Sequence, residues 1–253
     1  MRALLDADEL DAACGGDALC RWAAQGLAPG VRAFASDDGA ALAIAAPGLS
    51  MRDRLAIRGP VERVAPLVRE ALALLGPTYR PLGAQALVEA VAAAVPGLAV
   101  RNRFGWMERG RDGPALPAAD GGAWLSPADA GEVAALLDLS FPGSYARPGR
   151  PPDARWAGVR DARGVLRASA ALAWSAPAVG LVAGVAVHPG SRGAGLGCAV
   201  SAFVVAEALS RHGTAALMVD DVNAAAIRTY RACGLAYRSV AAATQVPCQG
   251  AGR

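Results

Sequence analysis

The apolar positions change spacing several times along the chain, and each change marks an element. Val61, Val64, Leu67, Val68, Ala71, Leu72 and Leu75 recur every three or four residues, which puts them on one face of a helix spanning Val61–Leu75. Gly59-Pro60 closes the segment before it. Ahead of that stop, a helix is expected near Leu4–Cys14, and short apolar runs at Val31–Ala35, Ala41–Ala45 and Arg54–Arg58 read as strands. A second helix is expected over Gly83–Val95, stopped by Pro96-Gly97, and Leu98–Glu108 reads as a strand. Mixed strands and helices make this half α/β or α+β.

Periodicity then disappears. Gly110–Gly122 (GRDGPALPAADGG) is rich in Gly, Pro and Ala and is the expected linker. With 113–122 taken as the linker proper, a smaller α/β domain is expected over 1–112 and a second domain over 123–253. In the second, Trp124-Leu125 closes a short strand. Ser126-Pro127 supplies an N-cap with proline at the first helical position, opening a helix that runs to about Leu139. A proline-rich loop follows, Phe141–Pro152. Strands are expected at Trp156–Arg160, Val165–Trp174 and Val179–Val187. A helix over Leu196–Arg211 ends at Gly213, a strand covers Ala215–Val219, a helix covers Ala224–Cys233 before Gly234, and the last strand is Tyr237–Thr244. The order is β-α-β-β-β-α-β-α-β.

Ala168–Val187 holds no charged residue and is long enough to cross a bilayer. Alanine is its commonest residue, however, it is broken by Pro177, and it has glycines at 180 and 184, so it reads as two strands joined at Ser175-Ala176-Pro177. The four acidic residues of Met1–Asp11 leave no apolar stretch for a secretory signal, and a cytoplasmic location is expected. All 25 basic residues are arginine, the net charge is only +3, and no arginine block forms. Neither nucleic acid nor a membrane is therefore an expected partner. Cys14, Cys20, Cys198, Cys233 and Cys248 make no CxxC pair, which suits free thiols in a reducing compartment. With His188 and His212 as the two histidines, no metal site is expected.

The chemistry concentrates in Val185–Cys198. An apolar strand leads through a short turn into Arg192-Gly193-Ala194-Gly195-Leu196-Gly197, where a helix begins. Glycines let successive N–H groups turn into one concavity, and the helix N-terminus adds partial positive charge; phosphate or pyrophosphate is the natural occupant, with Arg192 a further donor. A dinucleotide fingerprint fits poorly. Val200 or Cys198 stands where its third glycine belongs, and only 32 residues follow Asp221, too few to finish a doubly wound sheet. A glycine turn without a ligand is the plainer alternative.

The segment resembles the first signature of the GNAT (Gcn5-related) N-acetyltransferase family, R-x-x-G-x-G/A after a V-x-V-x-P strand: Val185-Ala186-Val187-His188-Pro189, then Arg192 to Gly197. Asn223, Ala226, Tyr230 and Gly234 resemble its second, N-x-x-A-x-x-x-Y-x-x-x-G-F. The resemblance covers about 123–246, and the loop 142–152 with Trp156 is similar to the FR47-like branch. It implies a mixed central sheet flanked by helices and acetyl-CoA as co-substrate. The pantetheine would lie along Val185, Ala186 and Val187. The pyrophosphate would lie on the amides of Gly193, Ala194, Gly195, Leu196, Gly197 and Cys198. Asn223 would bond the pantetheine or position the thioester, a backbone N–H near Val187 would hold the oxyanion, and Tyr230 would protonate the departing thiolate as general acid. The acceptor would be a primary amine, on a small molecule or a peptide, attacking directly.

Each residue has a second reading. Asn223 suits a helix N-cap, and both roles can coexist. Tyr230 suits a core position, Cys198 and Cys233 suit small buried residues, and His188 suits a turn. Leu235 replaces the family's phenylalanine. No acid lies on Val179–Val187, where a general base often sits; Asp138, Asp220, Asp221 or water are the alternatives. No such motif precedes residue 110. That half is compatible with a degenerate second GNAT-like unit and equally with an unrelated domain that shapes the acceptor site or covers a sheet edge. Arg101, Arg103, Trp106 and Met107 are candidates to face the acceptor. A non-catalytic acyl-CoA-binding protein is the competing function, and both monomer and homodimer stay open.

Overall fold

The heptad-like stripe over Val61–Leu75 does form a helix, and what it packs on explains the first half of the molecule. A computed structural model describes residues 1–246; residues 247–253, with Cys248, lie outside the described residues. The first half contains β1 (Arg2–Leu4), α1 (Ala7–Cys14), α2 (Ala18–Ala24), β2 (Arg32–Ala35), β3 (Leu42–Ala46), β4 (Arg54–Arg58), α3 (Val61–Leu75), β5 (Arg80–Ala84), α4 (Gln85–Ala94) and β6 (Leu98–Gly110). The second contains β7 (Gly122–Trp124), α5 (Ala130–Ser140), β8 (Arg155–Arg160), β9 (Leu166–Leu172), β10 (Gly180–Val187), α6 (Leu196–His212), β11 (Thr214–Val219), α7 (Ala224–Ala232) and β12 (Ala236–Gln245). The fold is mixed α/β.

The chain divides into two compact units, one of Met1–Gly105 with the residues from Arg238 onward, the other of Trp106–Tyr237. Gly110–Gly122, the expected linker, falls inside the second unit. Arg109 donates to the carbonyls of Cys233 and Pro114 (both 2.7 Å), and Arg111 donates to the carbonyls of Leu209 and Ser210 (both 2.9 Å). Two guanidinium groups thus bind carbonyls at the C-terminal ends of α6 and α7, the Leu209 carbonyl accepting from the Gly213 amide as well.

In the first unit, β1, β2, β3 and β4 pair antiparallel in turn, β5 joins β4 in parallel, and β12 pairs antiparallel with β5. Val64, Leu67, Val68, Ala71 and Leu72 of α3 pack with Phe34, Ala43, Leu55 and Ile57 of the strands and with Val88 and Val91 of α4. In the second unit, β7, β8, β9 and β10 pair antiparallel and β11 joins β10 in parallel. Alternation along β9 sends Ala168, Ala170 and Leu172 into the core under α6, while Ala171 joins Val133, Leu136 and Leu137 of α5. Gly180 lets α6 approach closely, since a Cβ there would lie 2.6 Å from that of Ala208. Each half therefore repeats one series: antiparallel strands, a crossover helix, a parallel strand, a second helix and a last strand.

Three elements differ from expectation. Leu4 ends a strand rather than starting a helix, α2 is additional, and Arg80–Ala84 is a strand that shortens the expected Gly83–Val95 helix to Gln85–Ala94. Pro81 and Gly83 within β5 mask its strand character, and a single helical face cannot be counted in the seven residues of α2. The charge-free run Ala168–Val187 is β9, a tight turn and β10. Among the described residues no helix is long and apolar enough to cross a membrane.

Candidate active site

β10 is irregular at the point where the sequence motif begins. Its pairing with β11 covers only Gly180–Val182 against Ala215–Leu217, so residues 183–187 extend beyond that register and the two parallel strands part. On the other edge, Val182 and Ala183 oppose Leu172 and Ala171, whereas Ala186 and Val187 oppose Ser169 and Ala168; Gly184 and Val185 form a bulge between them. Gly184 has φ 60°, and a Cβ on it would sit 2.5 Å from the ring of Trp156. Glycine is required there for both reasons.

The bulge sets where the backbone points. The His188 amide donates to the Arg167 carbonyl at 2.8 Å, so residue 188 forms a hydrogen-bonded pair with β9. Antiparallel pairs alternate, which turns the N–H and C=O of Ala186 toward Ser169 and those of Val185 and Val187 away from β9, into the gap left by β11. Main-chain donors and acceptors are thereby available to an extended ligand on the side of Val185 and Val187.

The turn that follows is built from local bonds. His188 Nδ1 accepts from the Gly190 amide (3.1 Å), so His188 is the turn residue its position suggests. Arg192 is extended and exposed, and Gly193 (φ 80°) and Gly195 (φ 77°) are left-handed, a conformation that costs an L side chain about 1–2 kcal/mol. A Cβ on either would meet nothing within 4 Å, so the space above them is open. Gly195 is also the N-cap of α6, and no side chain caps the helix. The first-turn amides of Leu196, Gly197 and Cys198 consequently have no intrahelical partner and face the positive end of a 17-residue helix. Gly197 brings that helix down onto β10, with Val187 Cγ2 3.3 Å from where its Cβ would be. Open space, a row of amides and a helix N-terminus fit a pyrophosphate.

The second motif lies on α7. Asn223 is its N-cap, accepting from the Ala226 amide through Oδ1 at 3.1 Å, which leaves the side-chain amide to donate elsewhere. Tyr230, seven residues on, is 8% exposed and packs in the same apolar cluster as Val185, Val187, Leu196 and Cys198, along with Ala226 and Ile227. The two sequence motifs, separated by 25 residues along the chain, thus converge on one cluster. Burial, reinforced by neighbouring Cys233, pushes the Tyr230 phenol well above its ordinary value near 10. Cys233 is fully buried while Cys198 is only half-buried, and their sulfurs lie 4.0 Å apart.

The remaining candidates disperse. Asp138 is paired with Arg147 (2.5 Å) and Asp221 accepts from the Tyr237 hydroxyl (2.5 Å), while Asp220 is exposed just past the end of β11. Trp106 and Met107 are fully buried and Arg103 pairs with Glu89 (2.8 Å), so these act as core and surface pairing respectively. The sequence marks Gly184 as a strand breaker and Trp156 as a family-like residue, but it predicts neither the bulge at Gly184 nor its contact with the Trp156 ring. The isolated glycine in an apolar strand is the signal that marks such a site.

Residues 127–235 match the family model described as "Acetyltransferase (GNAT) family". That segment is similar to GNAT acetyltransferase domains, a likeness that supports acyl transfer in general as its class of chemistry. No curated protein matches the sequence. Among solved structures, an acetyltransferase assigned to the GNAT family from Novosphingobium aromaticivorans is 25% identical, with 77% of this chain and 88% of that one covered and a TM-score of 0.51. A GCN5-related N-acetyltransferase from Sphaerobacter thermophilus shares the fold at 18% identity over 97% and 94% of the two chains (TM-score 0.58). So does a Drosophila protein at 15% identity over 97% and 98% (TM-score 0.63). Both GNAT-like signature segments, Val185–Gly197 and Asn223–Gly234, fall within the matched residues.

Proposed function

We propose that the protein is an acetyl-CoA-dependent N-acetyltransferase acting on a primary amine. The observation that carries this reading is the convergence of both motif segments on one cluster beside backbone groups of Val185 and Val187 that no strand uses. In this reading the pyrophosphate of acetyl-CoA rests on the amides from Gly193 to Cys198, with Arg192 at its rim. The pantetheine pairs with the strand at Val185 and Val187, Ala186 contributing packing, and Asn223 donates its free amide to the pantetheine or the thioester.

The amine nitrogen attacks the thioester carbonyl carbon directly, forming the C–N bond while charge collects on the carbonyl oxygen. The Val187 N–H, turned into the gap, stabilises that charge, a contribution of a few kcal/mol in such sites. The C–S bond then breaks and Tyr230 hands its proton to the thiolate. The apolar surroundings keep the phenol protonated until then. The amine's own proton leaves through solvent, since β10 carries no carboxylate. Burial and lack of charge along β10 also favour the neutral amine over the ammonium.

The competing reading, an acyl-CoA-binding protein without turnover, draws on that same absence of a carboxylate. A panel of primary amines with acetyl-CoA, followed by release of the CoA thiol and by product mass, separates the two. Turnover with any amine that disappears in Tyr230→Phe supports the enzyme. Retained acetyl-CoA binding with no turnover across small amines and peptide N-termini overturns it.

A further inference from the structure

The transfer chemistry uses no thiol of the protein, yet two thiols meet at the junction of the two motif segments. Cys198 is the third residue of α6, and Cys233 is the C-cap of α7, three residues after Tyr230. Their sulfurs are 4.0 Å apart, in van der Waals contact, and the Cys233 thiol also points at the Cys198 carbonyl (3.9 Å). We propose that Cys198 and Cys233 form a reversible disulfide that ties the start of α6 to the end of α7 and weakens the anion cradle. The effect on acetyl-CoA rests on the proposed function, whereas the linkage itself does not.

The two cysteines are unequal, which orders the chemistry. Cys198 is half-buried and reachable by a small peroxide; Cys233 is fully buried, and that burial, with Cys198 beside it, pushes its thiol up to about 12. Hydrogen peroxide therefore meets Cys198 first. The sulfur of Cys198 takes one peroxide oxygen as the O–O bond breaks, giving a sulfenic acid and one water. The sulfur of Cys233 then attacks that of Cys198; the S–S bond forms, the S–O bond breaks, and the hydroxyl leaves as a second water with the Cys233 proton. Two thiols lose two electrons in total and one peroxide is reduced. A dithiol reverses the step by exchange.

Closing the bond brings the sulfurs about 2 Å nearer, to the disulfide length. The α7 end cannot yield readily, because Arg109 holds the Cys233 carbonyl at 2.7 Å and packs against Gly234, where an added Cβ would lie 2.7 Å from its guanidinium. Nothing comparable caps the start of α6, which begins at the bare N-cap Gly195. The movement falls on the first turn of α6, the turn whose amides form the cradle.

The test treats the full chain with a small excess of hydrogen peroxide, blocks remaining thiols, and maps tryptic peptides with and without dithiothreitol. Residues 193–211 and 232–238 are the tryptic peptides that carry the two cysteines. The expected result is a cross-linked 193–211/232–238 species that dithiothreitol separates and that is missing in Cys233→Ser and Cys233→Ala. Acetyl-CoA binding to the oxidised protein is expected to weaken by about tenfold, a typical size for coupling between sites, with no change in either treated variant. Recovery of 193–211 with Cys198 still a thiol, or oxidised to a sulfinic acid without any cross-link, overturns the proposal. A cross-link that leaves acetyl-CoA affinity unchanged overturns its effect on the cradle. Reduced protein that never binds acetyl-CoA contradicts the proposed function instead, and the peptide map still decides the linkage.

Discussion

Tyr230 is buried in an apolar environment, which suits the general-acid role proposed for it. A phenol that must hold a proton until the thiolate departs benefits from burial, and burial raises its pKa above the ordinary value near 10. Since the acid form is the active one and its range is extended upward, kcat is expected to hold as pH rises from 7 to 10. A rate profile in which kcat falls with an apparent pKa near 8 or 9 would assign the acid to another group. Tyr230→Phe should lower kcat by about 10²–10⁴-fold, the usual range for a general acid, while calorimetry finds acetyl-CoA affinity nearly unchanged. Gly184 makes a second residue-scale case. Its left-handed φ and the Trp156 ring over it predict that Gly184→Ala costs about 1–3 kcal/mol in urea unfolding, and that activity falls as the Val185 and Val187 amides lose their direction. The glycines of the cradle are legible in the sequence because their spacing is local. The bulge at Gly184 is not, because it exists only in register with Ala171 and Ser169 of another strand.

At the scale of elements, α2 shows what tertiary contacts add to a weak local signal. Its N-cap Asp17 accepts from the Leu19 and Cys20 amides and pairs with Arg238 of β12 at 2.9 Å, linking the start of a short helix to the last strand within the first unit. Burial alone would raise the Asp17 pKa, but the Arg238 bond and charge and the two amides outweigh it and hold the carboxyl below its ordinary value. A depressed carboxylate contributes stability that is present above its unfolded pKa near 3.8 and lost as pH falls through the lower folded value. Stability of the wild type should therefore decline more steeply below pH 4 than that of Asp17→Asn, followed by thermal unfolding. Asp17→Ala, which removes both cap and pair, should cost about 1–3 kcal/mol at neutral pH. The long stripe of α3 needs no such help and is legible residue for residue, whereas α2 and β5 are too short, or too marked by proline and glycine, to declare themselves.

Across the described residues, one series of elements occurs twice, but of its two crossovers only that from β10 to α6 carries the left-handed glycine turn of the proposed phosphate cradle. In the first unit β4 passes through Gly59-Pro60 straight into α3, and a Cβ on Gly59 would lie 2.5 Å from the Ala40 carbonyl oxygen, so that glycine serves chain packing. The second unit instead opens a turn of two left-handed glycines before α6. The repeat of element order is only partly readable from the apolar runs, because the parallel strand of the first series, β5, carries Pro81 and Gly83. The membership of β12, which pairs with β5 in the first unit, is not readable, because an alternating strand does not specify its neighbour. One cradle per chain predicts one acetyl-CoA per chain. Calorimetric titration of acetyl-CoA into the wild type and into Gly195→Glu, whose side chain meets only open space but brings a carboxylate into the cradle, tests this most directly. The account predicts a single site in the wild type and none in the variant; unchanged binding in Gly195→Glu, or no binding by a folded wild type, would contradict it.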